Sequence, residues 1–138
     1  MKAKNSCYTY FSITGNFDPL CITELLQLTP DHTRRIGAKR PNAAVCNTAV
    51  WEFGRCEHYD PIIAHQMEKT IAPLLDKIEI LNKIREDYGA SLYLSVVPSI
   101  YTEEASPCLA PSLAVMDFCH ATRTEIDIDL YTYNANDQ

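Results

Sequence analysis

The stretch DPIIAHQMEKTIAPLLDKIEILNKIREDYG, Asp60 to Gly89, decides the fold. Its apolar residues Ile63, Met67, Ile71, Leu74, Ile78, Leu81, Ile84 and Tyr88 recur every three or four positions, one stripe along a helix. Asp60 is placed to cap the first turn, because its carboxylate can accept from backbone N–H groups that lack a helical partner. Pro61 suits the next position, where a missing N–H leaves no bond unmade. Gly89 suits the end, where chains often turn through a left-handed conformation. Pro73 interrupts the pattern: it removes one helical hydrogen bond and its ring collides with the carbonyl of Lys69. The spacing predicts a long helical segment, kinked or broken at Pro73, with the stripe carried across.

On either side the period falls to two. Cys7 to Thr14 reads as a strand with Cys7, Thr9, Phe11 and Ile13 on one face and Tyr8, Tyr10 and Ser12 on the other. Gly15-Asn16 turns the chain, and Asp18-Pro19 opens a short helix whose apolar residues are Ile22, Leu25, Leu26 and Leu28. His32 to Asn42 is a polar, basic loop with room for a short edge strand. Val45 to Phe53 alternates again, placing Val45, Ala49, Trp51 and Phe53 together, with Trp51 in the core against the long helix. Ser91 to Val97 is the clearest strand: Leu92, Leu94 and Val96 face in, and Tyr93, Ser95 and Val97 face out. Pro98 cannot donate to a ladder, so pairing should weaken there or the strand should lie at an edge. After a loop over Thr102–Pro111, Ser112 caps a helix to Thr122 with Leu113, Met116 and Cys119 or His120 along one side. Glu125 to Tyr133 is the last strand, with Ile126, Ile128 and Leu130 inward and Asp127, Asp129, Tyr131 and Tyr133 outward. Residues 134–138 read as a frayed tail. The alternation predicts an α+β fold: a mainly antiparallel sheet of four to five strands with helices packed on one face.

The 138 residues fit a single domain, 1–138, with an ordered core over about 6–133. Hydrophobic residues make up 46% and charged residues 22%, a globular rather than a disordered balance. The net charge of -6 argues against a nucleic-acid partner, whose phosphates call for a positive surface. No stretch is apolar for long enough to span a membrane. Residues 1–15 contain no apolar run of the signal-peptide kind, so a cytoplasmic location and six reduced cysteines are expected.

A resemblance emerges from several separated runs. Ile13-Thr14-Gly15, Asp18-Pro19 with Glu24-Leu25-Leu26, and Thr33-Arg34-Arg35-Ile36-Gly37 come first. Trp51, Leu74-Leu75 behind a proline, and the closing Ile126-Asp127-Ile128-Asp129-Leu130-Tyr131 complete the set. Together they resemble the bacterial "domain of unknown function 4279" family over roughly the whole chain. The departure is an extended Lys39–Asn47 insert before Trp51. The resemblance implies a compact bacterial domain and carries over no catalytic residue.

Four groups of residues could carry chemistry. Cys56, His58 and His65, with Asp60 between them, are zinc-ligand types, but C-x-H lacks the usual spacing and Asp60 is wanted as a cap. Arg34, Arg35, Lys39 and Arg40 could hold an anion, without a glycine-rich cradle behind them. Cys119 and His120 are adjacent on a helix and point about 100° apart, the wrong geometry for a nucleophile and its base. No hydrolase, metalloprotease or nucleotide-binding signature occurs, and neither a cofactor nor a metal is implied.

The fourth group is the outward sheet face. Strand parity collects Tyr8, Tyr10, Tyr93, Tyr131 and Tyr133 there, five of the eight tyrosines, together with Asp127 and Asp129. Tyrosine offers large, rigid contact area to partners, although β-propensity and cross-strand pairing also favour it. Aromatic sheet faces also bind single-stranded RNA, but the interleaved aspartates would repel phosphate. The resulting expectation is a cytosolic protein-binding module, in its most specific form an immunity or antitoxin-like protein that neutralises a basic toxin. The alternative is a small-molecule or metal binder, or an enzyme, using the Cys56–His65 region or the Arg34–Arg40 loop.

Overall fold

The computed structural model of the chain describes residues 4–39 and 45–134. In order, the elements are β1 (Ser6–Gly15), α1 (Pro19–Leu26), β2 (His32–Arg34), β3 (Ala49–Cys56), α2 (Ile63–Ile71), α3 (Ile78–Tyr88), β4 (Ser91–Tyr101), α4 (Leu113–Thr122), β5 (Glu125–Ile128) and β6 (Tyr131–Tyr133). The fold is α+β, with a mixed sheet in the order β2-β3-β1-β4-β5 and β6 also paired to β4. The first four strands of that order pair antiparallel; β5 and β6 run parallel to β4. A parallel return needs a long crossover, which the loop after β4 and α4 supply.

The stripe of the long helical segment holds, and so does the interruption. α2 stops at Ile71, Ala72–Leu74 makes one 3₁₀ turn around Pro73, and α3 starts at Ile78. Ile63, Met67, Ile71, Leu74, Leu81 and Ile84 are all buried, in one cluster with Phe11, Ile13, Trp51, Leu92, Leu94 and Val96 of the strands. Gly89 ends α3 in the left-handed conformation, at φ 59°. The expected Asp60 cap is displaced. Helix α2 starts later, with Ile62 at the cap position and no side-chain cap. Asp60 instead accepts from the Ile62 N–H at 2.8 Å, and Pro61 precedes the helix.

Trp51 is fully buried, and its indole N–H donates to the Thr23 hydroxyl of α1 at 3.0 Å. The caps of the shorter helices are as expected. Asp18 accepts from the Leu20 N–H and Ser112 from the Val115 N–H. Leu25 is 45% exposed, so α1 buries Ile22 and Leu26 instead. In α4 the buried side is Val115, Phe118, Cys119 and Thr122, while Leu113 and Met116 face solvent. Both sides of α4 are apolar, so spacing alone could not choose between them.

Three strand expectations are corrected. β3 begins at Ala49 and runs to Cys56, leaving Val45 exposed in an isolated bridge to Lys39. The strand expected over Ser91–Val97 runs on past Pro98 to Tyr101 in the middle of the sheet, not at an edge, while the expected weakening of pairing at Pro98 holds. The proline's missing donor falls where the parallel neighbour changes, since β5 pairs Tyr93–Val96 and β6 pairs Ser99–Tyr101. The last strand is accordingly two strands, split at Asp129-Leu130. Ile128 and Leu130 are 43% and 48% exposed, not inward, because among the described residues no further strand pairs with β5 on its outer side to shelter them. Of the tail, residues 135–138 lie outside the described residues.

A buried polar bracket fastens α2 to β1 and β3. The Gln66 amide donates to the carbonyls of Cys7 and Cys56, at 2.9 and 3.2 Å. The Thr70 hydroxyl lies 2.8 Å from that of Thr9 and donates to the Gly54 carbonyl at 2.7 Å. Each bond satisfies a group that would otherwise be buried without a partner.

Candidate functional site

The tyrosine face is built by register. Tyr8 stands opposite Val97, Tyr10 opposite Ser95 and Ser12 opposite Tyr93, so these side chains share the face turned away from Phe11 and Ile13. Across β4, Tyr93 lies beside Glu125, Ser95 beside Asp127, Ser99 beside Tyr131 and Tyr101 beside Tyr133. The break between β5 and β6 preserves the register: Val96 pairs Ile128 and Ser99 pairs Tyr131, three residues on in each chain. The face therefore gathers Tyr8, Tyr10, Tyr93, Asp127, Tyr131 and Tyr133. Asp129 joins them as acceptor of the Tyr131 hydroxyl at 3.0 Å.

The rings are coupled. Tyr8 and Tyr10 stack with centroids 6.1 Å apart, and Tyr101 stacks on Tyr133 at 5.2 Å. Asp129 raises the Tyr131 pKa above its ordinary value by accepting the phenolic proton and by its charge, and Tyr8 and Tyr133 lie near enough to add to the rise. Tyr131 is 47% exposed, and Tyr8, Tyr10, Tyr93, Tyr101 and Tyr133 are partly exposed.

Two residues of this face were missed in the sequence. Tyr101 was hidden because Pro98 suggested that β4 ended early. Arg55 was hidden because a bulge brings it there. Thr9 pairs Cys56 but Phe11 pairs Phe53, so β3 has an extra residue opposite Tyr10. In an unbroken ladder Arg55 would follow Phe53 inward. With the bulge, Arg55 turns outward and sets its guanidinium 4.0 Å above the Tyr8 ring. Gly54 makes the bulge possible. Its φ is +75°, and a Cβ there would sit 2.7 Å from the Thr70 carbonyl oxygen. An isolated glycine after an alternating run was the available signal. Glu57 forms an ion pair with Arg55, and this hydrogen bond is the main cause of the raised Arg55 pKa.

The other candidates are less convergent. Asp60 and His65 meet each other, with His65 Nδ1 2.8 Å from the carboxylate. The Ile62 N–H first and His65 second hold the Asp60 pKa below its ordinary value. Among the described residues, no three His, Cys, Asp or Glu side chains group as a metal cage would. Arg34 is engaged by the Thr48 carbonyl and hydroxyl, both at 3.1 Å, and Arg35 lies instead beside Phe17 and Asp18. Lys39 is exposed, and Arg40 lies outside the described residues. Cys119 is buried, which pushes its thiol up to about 11, the wrong direction for a nucleophile. It borders an open cleft of about 460 Å³ with His120, Arg123 and Glu125. No described helix is long and apolar enough to cross a membrane.

No curated protein and no solved structure matched this chain. Residues 5–133 match a protein family from the first strand to the last. The chain belongs to the family described as Domain of unknown function (DUF4279).

Proposed function

We propose that the chain is a protein-binding module whose contact surface is the tyrosine face, and that its partner is basic. The observation that carries this is the set of partly exposed rings that register places on one sheet face, Tyr8, Tyr10, Tyr93, Tyr101, Tyr131 and Tyr133, with Glu125, Asp127 and Asp129 beside them. Amphipathic rings of this kind lose little conformational entropy when a partner covers them. The carboxylates, with a net chain charge of -6, would steer a cationic protein and repel nucleic acid.

In its most specific form the module is an immunity or antitoxin-like protein of the bacterial cytosol. Toxins that attack nucleic acid need basic surfaces, and an acidic aromatic platform is suited to mask one. The experiment is co-purification of the natural partner, followed by calorimetric titration with the parent and with Asp127→Lys/Asp129→Lys. A basic partner with toxic activity, bound by the parent and at least tenfold more weakly by the variant, supports the reading. An acidic partner, or equal affinities, contradicts it.

A further inference from the structure

Arg55 is an arginine of the chain itself seated on a tyrosine of this face. We infer that the partner docks through arginine side chains, each laid over a tyrosine ring with its edge held by a neighbouring carboxylate. This deepens the proposed function and rests on it. Within the chain, the Arg55 guanidinium lies 4.0 Å over Tyr8 while its Nε donates to Glu57. The arrangement forms in the open, with Arg55 43% and Glu57 65% exposed. A flat guanidinium can stack on a ring and still present N–H groups sideways to a carboxylate; an ammonium cannot do both.

Carboxylates also stand beside other rings of this face. Glu125 is the register neighbour of Tyr93, and Asp129 accepts from Tyr131. Glu125, Asp127 and Asp129 are all exposed. Among the described residues, Arg55 is the cation found over a ring, so no described cation occupies the seats at Tyr93 and Tyr131. Arg55 itself sits on the Tyr8–Tyr10 stack, leaving the β4–β6 side of the face for the partner.

The test uses fluorescein-labelled octa-arginine and octa-lysine peptides, equal in length and charge, and reads binding to the intact protein by anisotropy. Two stacked guanidinium groups at partly exposed sites predict an arginine preference of about tenfold. Tyr93→Leu/Tyr131→Leu should bring that preference close to one by weakening octa-arginine several-fold more than octa-lysine, whose attraction to the remaining carboxylates persists. An unchanged unfolding midpoint shows that the variant is folded. Tyr131→Leu alone, at the sheet edge, serves if the double variant is unstable. Equal binding of both peptides, lost in Asp127→Lys/Asp129→Lys, overturns the arginine inference and leaves the basic-partner reading standing. Binding of neither peptide overturns both.

Discussion

The two faces of this sheet come from the same strands and the same period of two, yet they are different materials. Phe11, Ile13, Trp51, Leu92, Leu94 and Val96 are buried in one cluster with residues of all four helices. Tyr8, Tyr10, Tyr93 and Tyr101 on the other parity are left partly exposed. The first face uses its side chains to exclude water, and its geometry is over-determined by packing and by the bracket of Gln66, Thr9 and Thr70. The second uses rings that interact with one another and with carboxylates while remaining accessible. Burial makes stability and exposure leaves rings and carboxylates open to contact, and a strand can supply both because alternate residues belong to different faces.

Substitutions should therefore divide by parity. Trp51→Ala should have the largest effect, lowering stability by about 3–5 kcal/mol in urea unfolding followed by circular dichroism. A loss below about 1 kcal/mol would mean that the inner face is looser than its burial indicates. Thr70→Val removes the bonds to Thr9 and to the Gly54 carbonyl while keeping the shape. It should cost about 1–3 kcal/mol, and the Gly54 amide region should exchange hydrogen faster than in the parent. Pro73→Ala lies at a break rather than in the packed stripe. It should cost about 0.4–1 kcal/mol, through a freer unfolded chain, and leave the tyrosine face untouched; a larger loss would mean that the 3₁₀ turn itself is structural.

The smallest effect is on titration. Because Asp129 holds the neutral Tyr131 phenol, the folded pKa is raised. Its stabilising contribution is fully present below the ordinary value of 10.0 and is lost as pH rises through the raised value. Phenolate absorbance should show a late-titrating tyrosine that moves earlier in Asp129→Asn. An unchanged curve would place Tyr131 away from Asp129.

Much of the inner face was legible in the sequence, because burial writes itself as periodicity. The stripe from Ile63 to Ile84, the break at Pro73, and the parities of β1 and β4 needed no tertiary information. What required it was whatever depends on neighbours. The exposure of Ile128 and Leu130 follows from their place at the sheet edge. The choice of Val115 and Phe118 over Leu113 and Met116 follows from what α4 packs against. Tyr101 joined the face only because Pro98 sits where a neighbouring strand is interrupted. Arg55 joined it only because Gly54 inserts a residue that reverses the parity of β3. Of the site, the seven residues placed by parity fall together, and Arg55, which lies over the Tyr8 ring, was invisible to parity alone.

The most direct test compares rate constants with stability. The natural partner, once isolated, should be measured by surface plasmon resonance against the parent and against Tyr93→Ala, Asp127→Lys and Asp129→Lys. The account predicts that Tyr93→Ala raises the dissociation rate, by about 2 kcal/mol or more if it is a hot spot. The two charge reversals should mainly slow association, and that loss should shrink at high salt. All three variants should unfold within about 1 kcal/mol of the parent, since none removes a core group. If the three folded variants bind with the parent's rate constants, the tyrosine face is not the binding surface.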